Sequence, residues 1–284
     1  RAQGRPFDAA QGRPMFGPFK IERGMTTIMR SATGFQPTEA IHVRQSELCA
    51  TCHTLVTKAL GPKGEVIGEL PEQMPFQEWK HSAYATEQRS CQSCHMPVVE
   101  EDTPIASVLG APRKGFARHT FIGGNVFMQR LLNRYRGDLG VVATPAEMDA
   151  SIGATVANLQ KSTAELTIDR AERSGGRLLA DISVRNLTGH KLPTGYPSRR
   201  AWLHVTVRDR GGRVVFESGA VAPNGAIAGN DNDADALGVE PHHTEIRTAD
   251  QVQIYESVMG DSNGRPTTGL LTAVRYLKDN RLVP

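Results

Sequence analysis

The chain is 284 residues long, 39% hydrophobic and 6% aromatic, with 28 glycines and 17 prolines. That length allows two domains, and the composition describes a loop-rich protein whose core needs help from something other than side chains. A formal net charge of +3, with Lys and Arg scattered among acids, excludes the basic footprint of a nucleic-acid binder, and no apolar run reaches the roughly 18 residues that a membrane span requires.

Residues 1–34 read as an extended N-terminal arm. The string AQGRP at 2–6 returns at 10–14, Gly and Pro are frequent, and no periodicity is visible. The sharper reading of this arm is a segment that lies on a neighbouring subunit. The chain starts at Arg1 rather than Met, which reads as a processed or trimmed product, so the missing signal peptide is silent about destination.

All four cysteines come next. SELCATCHTL at 46–55 places Cys49 and Cys52 three apart with His53 directly after, and RSCQSCHMPV at 89–98 repeats the arrangement with Cys91, Cys94 and His95. A four-cysteine zinc site uses CxxC pairs, but it does not require a His after each, and 38 residues between the pairs exceed a zinc-ribbon loop. A thioredoxin-like pair would not be duplicated, and disulfides leave both histidines unexplained. Covalent haem accounts for every residue: the two thiols form thioethers with the haem vinyl groups and the His that follows binds iron. Two haem c groups are therefore expected. Each supplies a large apolar body for the surrounding chain to wrap. In bacteria these thioethers form outside the cytoplasmic membrane, which implies a periplasmic, cell-surface or extracellular protein. The propionates add roughly four negative charges and bring the holoprotein close to neutral.

The region 35–160 reads as a dihaem cytochrome c domain with short helices at each motif and long loops between. Within it, 123–140 reads as a helix with Phe127, Leu131, Leu132 and Tyr135 as its apolar stripe. Residues 144–160 read as a second, with Thr144 as N-cap, Pro145 at the first helical position and Glu147 completing a capping box. Its buried face is Met148, Ile152, Val156 and Leu159. From about residue 161 the period changes to two. AELTIDRAERSGGRLLADISVRN and AWLHVTVRDRGGRVVFESGAV each read as two strands around a Gly-Gly turn, and DQVQIYESVM and GLLTAVRYL add two more. Six strands over 161–284 point to a β-sandwich, so the expected class is α+β.

Each haem iron has a second axial position. Met is a poor source here: Met128 and Met148 fit helix cores, and Met96 lies too close to its own attachment site. Seven histidines remain, which favours bis-histidine ligation. His42, His81, His119 and His190 lie outside helical stripes. His204 alternates with buried strand positions and reads as outward-facing, while His242 and His243 follow an acidic loop. The plain alternative for each is a hydrogen-bonded or surface histidine.

In this order, SELCATCHTL, EWKHSAYA, SCQSCHMP, RHTFIGGN and GHKLPTGYPSRRAWLHVTVRD resemble the multihaem c-type cytochromes of anaerobic, metal-reducing and related bacteria, over most of residues 35–284. The resemblance implies His42, His81, His119 and His190 as candidate distal ligands. Similar proteins carry further CxxCH sites upstream, which this chain lacks, so four candidate ligands face two distal positions. The family includes secreted cytochromes that polymerise into conducting filaments, in some of which a His of one subunit binds a haem of the next. The partners so implied are other cytochromes or copies of this chain, with a redox donor and a terminal acceptor at the ends.

GNDNDADALG at 229–238 alternates Asp231, Asp233 and Asp235 as a calcium loop does, yet Ala236 stands at the sixth position and His242 at the twelfth, so an acidic turn competes with calcium. Two function classes result. The first is an electron carrier with both irons six-coordinate. The second is a multihaem reductase of a small nitrogen or sulfur oxyanion. It requires an open iron position, and no attachment motif with Lys in place of His marks one.

Overall fold

A computed structural model describes residues 13–105 and 110–284. In chain order the elements are β1 (Arg13–Gly17), α1 (Arg23–Thr33), β2 (Phe35–Glu39), a 3-10 turn at Ile41–Arg44, α2 (Glu47–Ala50), β3 (Leu55–Leu60), β4 (Val66–Gln73), α3 (Pro75–Lys80), α4 (Ala83–Thr86), α5 (Cys91–His95), β5 (Thr103–Pro104) and β6 (Pro112–Arg113). They continue with α6 (Val126–Arg134), α7 (Pro145–Lys161), β7 (Ala164–Ser174), β8 (Arg177–Asn186), β9 (Arg200–Trp202), β10 (Val205–Arg208), β11 (Val214–Ser218), α8 (Asp231–Ala234), β12 (Ile254–Gly260) and β13 (Arg275–Asp279). Helices and strands mix, and the class is α+β as expected. The described residues fall into two compact units: those through Thr51 with Gln88–Gly123, and Cys52–Glu87 with Gly124–Pro284.

In the first unit the N-terminal segment is more structured than its composition suggested. The first AQGRP copy lies outside the described residues. From Arg13 on, the expected extended arm is instead a strand, a helix and a second strand. β1 runs parallel to β2, Arg13 opposite Phe35 through Gly17 opposite Glu39. Parallel neighbours need a crossover, and α1 supplies it. Met25, Ile28 and Met29 give α1 an apolar stripe, and Gly34, at φ 76°, ends it by donating its N–H to the Arg30 carbonyl at 2.8 Å. This unit has no buried apolar side chain among its described residues; Ser46, 1% exposed, is its buried residue. Phe16, Ile28, Ile41, Leu48, Val98 and Phe121 are all at least 45% exposed.

The second unit contains two apolar clusters. Leu70, Met259 and Ala273 pack with Leu270 and Tyr276, and Ile227, Val252 and Ile254 pack with Trp202. The first cluster joins the β3–β4 hairpin to β12 and the residues leading into β13, and the Tyr276 hydroxyl donates to the Pro71 carbonyl at 3.0 Å. This packing crosses the boundary expected near residue 161. The Thr144–Glu147 capping box forms at the start of α7. α6 is shorter than the expected helix because Asn125 caps it, accepting the Met128 N–H at 3.1 Å. Phe127 and Tyr135 of its stripe are exposed, while Met148, Ile152 and Val156 of α7 are half-buried. Beyond α7 there are seven strands: the β7–β8 and β10–β11 hairpins and a three-stranded sheet in the order β13-β12-β9. The stretch read as one strand at 201–207 divides, because β9 pairs with β12 and β10 with β11. Gly175 and Gly176, both at positive φ, close the β7–β8 turn, the conformation a two-residue hairpin loop demands.

Candidate functional site

The second cysteine motif is one helical turn. Ser90 lies extended before it, and α5 then carries Cys91, Cys94 and His95 at i, i+3 and i+4, the spacing that puts three side chains on one face. Three contacts hold the turn. The Cys91 N–H donates to Ser46 Oγ at 3.0 Å, and the Gln92 amide donates to the carbonyls of Val43 at 3.2 Å and Gln45 at 2.8 Å. His95 is clamped twice to Ile122: its Nδ1–H donates to the Ile122 carbonyl, and its own carbonyl accepts the Ile122 N–H at 3.1 Å. A carbonyl only accepts, so this bond places the proton on Nδ1 and makes Nε2 the basic nitrogen, the arrangement a metal-ligating histidine requires.

The first motif begins on α2 with Cys49 and continues through a turn to Cys52 and His53. The Thr51 hydroxyl donates to the Leu48 carbonyl at 2.8 Å, and the His53 carbonyl accepts the Phe76 N–H at 3.3 Å. None of the four cysteines is in a disulfide. Their thiols, with a His after each pair and the exposed Leu48, Leu55 and Val98 close by in the chain, suit attachment to a flat apolar group with a metal centre.

The four candidate distal histidines divide between the units. His42, in the 3-10 turn, meets Phe16 edge-on at 5.1 Å between ring centres, and His119 meets Phe121 likewise at 6.1 Å; both belong to the first unit with His95. His81 and His190 belong to the second unit with His53. His81 ends α3 and donates its Nδ1–H to the Gln77 carbonyl at 2.7 Å, while His190 donates Nδ1–H to the Lys191 carbonyl at 3.0 Å. Both thus share the tautomer seen at His95. By contrast His204 pairs with Glu217 at 2.8 Å and His243 with the buried Glu240 at 3.0 Å, and His242 Nδ1 accepts from Gln253 and Asn280.

A partly buried charge ring ties the His81 helix to the His190 loop. Glu78 Oε2 accepts the Lys191 N–H at 3.2 Å and the Thr194 hydroxyl, and its Oε1 accepts from Arg281 at 3.1 Å. Arg281 also grips Asp279 through Nε and Nη2, each at 2.8 Å, and Lys191 Nζ reaches Asp279 at 2.7 Å. Burial would raise the Asp279 carboxyl, but hydrogen bonds from Arg281 and Lys191, with their charges, outweigh it and bring it down to about 2. Burial pushes the neighbouring Tyr276 phenol up to about 12. Nothing in the local pattern around Glu78 or Asp279 announced this ring. The partners of Glu78 lie 113 to 203 residues away.

The acidic segment forms a turn. Asp233 accepts from Arg200 at 2.6 Å and from the Ile227 N–H at 2.8 Å, and Asp235 accepts the Leu237 N–H at 2.9 Å. Among the described residues no three His, Cys, Asp or Glu side chains gather where they could hold a metal ion, so Asp231, Asp233 and Asp235 are not brought together as calcium ligands.

No family model matches the chain, and no curated protein matches it. Among solved structures it is similar to a penta-haem cytochrome c552 from Thermochromatium tepidum, at 19% identity and a TM-score of 0.52, over 95% of this chain and 54% of that one. The likeness shows a shared fold, and the chain spans about half the length of that protein.

Proposed function

We propose that the chain is an electron-transfer protein carrying two covalent haem c groups. The observation that carries this reading is the α5 turn: two thiols and an iron-ready imidazole on one face, with the His95 tautomer set by the Ile122 carbonyl. The lack of buried apolar side chains in the described part of the first unit agrees with it, since such a unit gains its core by packing around a large apolar group.

Cys49 and Cys52 would hold one haem with His53 as proximal ligand, and Cys91 and Cys94 the other with His95. The haem supplies reversible one-electron exchange at its iron. The protein's part is to fix the ligands and their environment. The Nδ1–H bonds of His81, His95 and His190 orient each ring and make it more basic, which favours the oxidised iron. Each haem would draw its distal histidine from its own unit: His42 or His119 beside His95, and His81 or His190 beside His53. Such an arrangement leaves no iron position for substrate, which separates a carrier from a reductase. Haem attachment would put the protein in the periplasm or outside the cell; no helix among the described residues is long and apolar enough to cross a membrane. Electrons would pass to another cytochrome or to a further copy of the chain.

The test is carbon monoxide. The absorption spectrum of the reduced holoprotein should be unchanged on its addition. Rapid binding at either haem would show an open iron position and refute bis-histidine ligation.

A further inference from the structure

The buried Glu78 carboxylate lies where two ligand-bearing segments meet. Its side chain is 7% exposed, and that of Arg281 is 10% exposed. Glu78 stands three residues before His81 in the same helical turn, and it accepts from the backbone N–H of Lys191, the residue after His190. The Thr194 hydroxyl, on the far side of the same loop, reaches the same oxygen. A second bond joins the same two segments and another stiffens the loop itself. Tyr84 of α4 donates its hydroxyl to the Leu187 carbonyl at 3.0 Å, and the Asn186 amide donates to the His190 carbonyl at 2.7 Å. The carboxylate of Glu78 bonds to the His190 loop at two points and, through Arg281, to the end of β13. The ring of two acids and two bases, Glu78, Asp279, Arg281 and Lys191, is neutral as a whole.

We propose that Glu78 is a positioning residue that locks the His81 helix and the His190 loop into one frame, so that ligation of iron by either histidine depends on it. This rests on the bis-histidine reading above. The chemistry of the pocket makes the role specific to a carboxylate. The three groups bonded to the Glu78 oxygens are donors: an amide N–H, a hydroxyl and a guanidinium. A glutamine has nearly the same shape but must turn an NH₂ toward at least one of them, replacing an acceptor by a donor. Glu78→Gln therefore keeps the volume of the site and breaks its bonding.

The experiment uses holoprotein throughout. Wild type, Glu78→Gln, Thr194→Val, Thr194→Ser and a stability control, Ile254→Val in the separate Trp202 cluster, are reduced and exposed to carbon monoxide, and their midpoint potentials are measured. In Glu78→Gln up to half of the haem absorbance should become responsive to carbon monoxide, because one of two irons is affected, with a shift in one of the two potentials. Thr194→Val should show the same change to a smaller extent, and Thr194→Ser, which keeps the hydroxyl, should restore wild-type behaviour. Ile254→Val should lower the unfolding midpoint and leave both readouts unmoved. If Glu78→Gln fails to fold, the Thr194 pair decides. Inert spectra and unshifted potentials in Glu78→Gln and Thr194→Val, beside an inert wild type, would overturn the positioning role and leave electron transfer intact. A wild type that itself binds carbon monoxide would overturn the bis-histidine reading and the positioning role with it.

Discussion

Gly189, the residue before His190, is buried with φ +69°, and a Cβ built on it would lie 2.1 Å from Cδ2 of Tyr84 and 2.8 Å from its Cε2. Gly189→Ala therefore meets two penalties. An alanine held in the left-handed region costs about 1–2 kcal/mol relative to glycine. The methyl must also push aside a ring whose hydroxyl bonds the Leu187 carbonyl, an overpacking term of about 1–3 kcal/mol. Together they should destabilise the second unit by about 2–5 kcal/mol, a fall of roughly 5–15 °C in the unfolding midpoint. Chemical denaturation followed by far-ultraviolet circular dichroism measures the first quantity and a thermal scan the second. The two terms separate in a Tyr84→Ala background, where only the backbone penalty remains, so the double variant should show a coupling of at least about 1 kcal/mol. A loss under about 1 kcal/mol in the single variant, or strict additivity in the double, would refute the packing argument.

Other outcomes follow from the cysteine motifs and the charge ring. Denatured protein should keep two haem masses in mass spectrometry, and Cys91→Ala with Cys94→Ala should keep one; a mass equal to the bare chain would end the haem reading. Ser46→Ala leaves the Cys91 N–H without its acceptor in a buried position, which should cost about 1–2 kcal/mol and lower haem occupancy of the second motif relative to the first, read from the haem-to-protein ratio. Asp279, depressed from an ordinary 3.8 to about 2, contributes stability that is fully present above about pH 4 and is lost as pH falls toward 2. Asp279→Asn should flatten that part of the acid-unfolding curve, and superimposable acid limbs would contradict the assignment.

Local chemistry was legible in the sequence because its causes lie within a few residues. The CxxCH spacing is a property of one helical turn, and α5 places Cys91, Cys94 and His95 as that spacing requires. The Thr144–Glu147 box, the Gly175–Gly176 turn and the outward-facing position of His204 were likewise readable from neighbours along the chain. The segment 13–34 was misjudged because β1 has no reason to be a strand until β2 returns beside it. The same holds for the packing of Leu70 against Met259 and Ala273, which draws a hairpin from between the two cysteine motifs into the C-terminal sheet. Glu78 shows the limit most plainly. Its sequence neighbours describe an ordinary surface acid on a short helix, and only the return of Lys191, Thr194 and Arg281 buries it and supplies its donors. A carboxylate in such a place needs donors for both of its oxygens, and the fold of the whole chain decides which donors arrive.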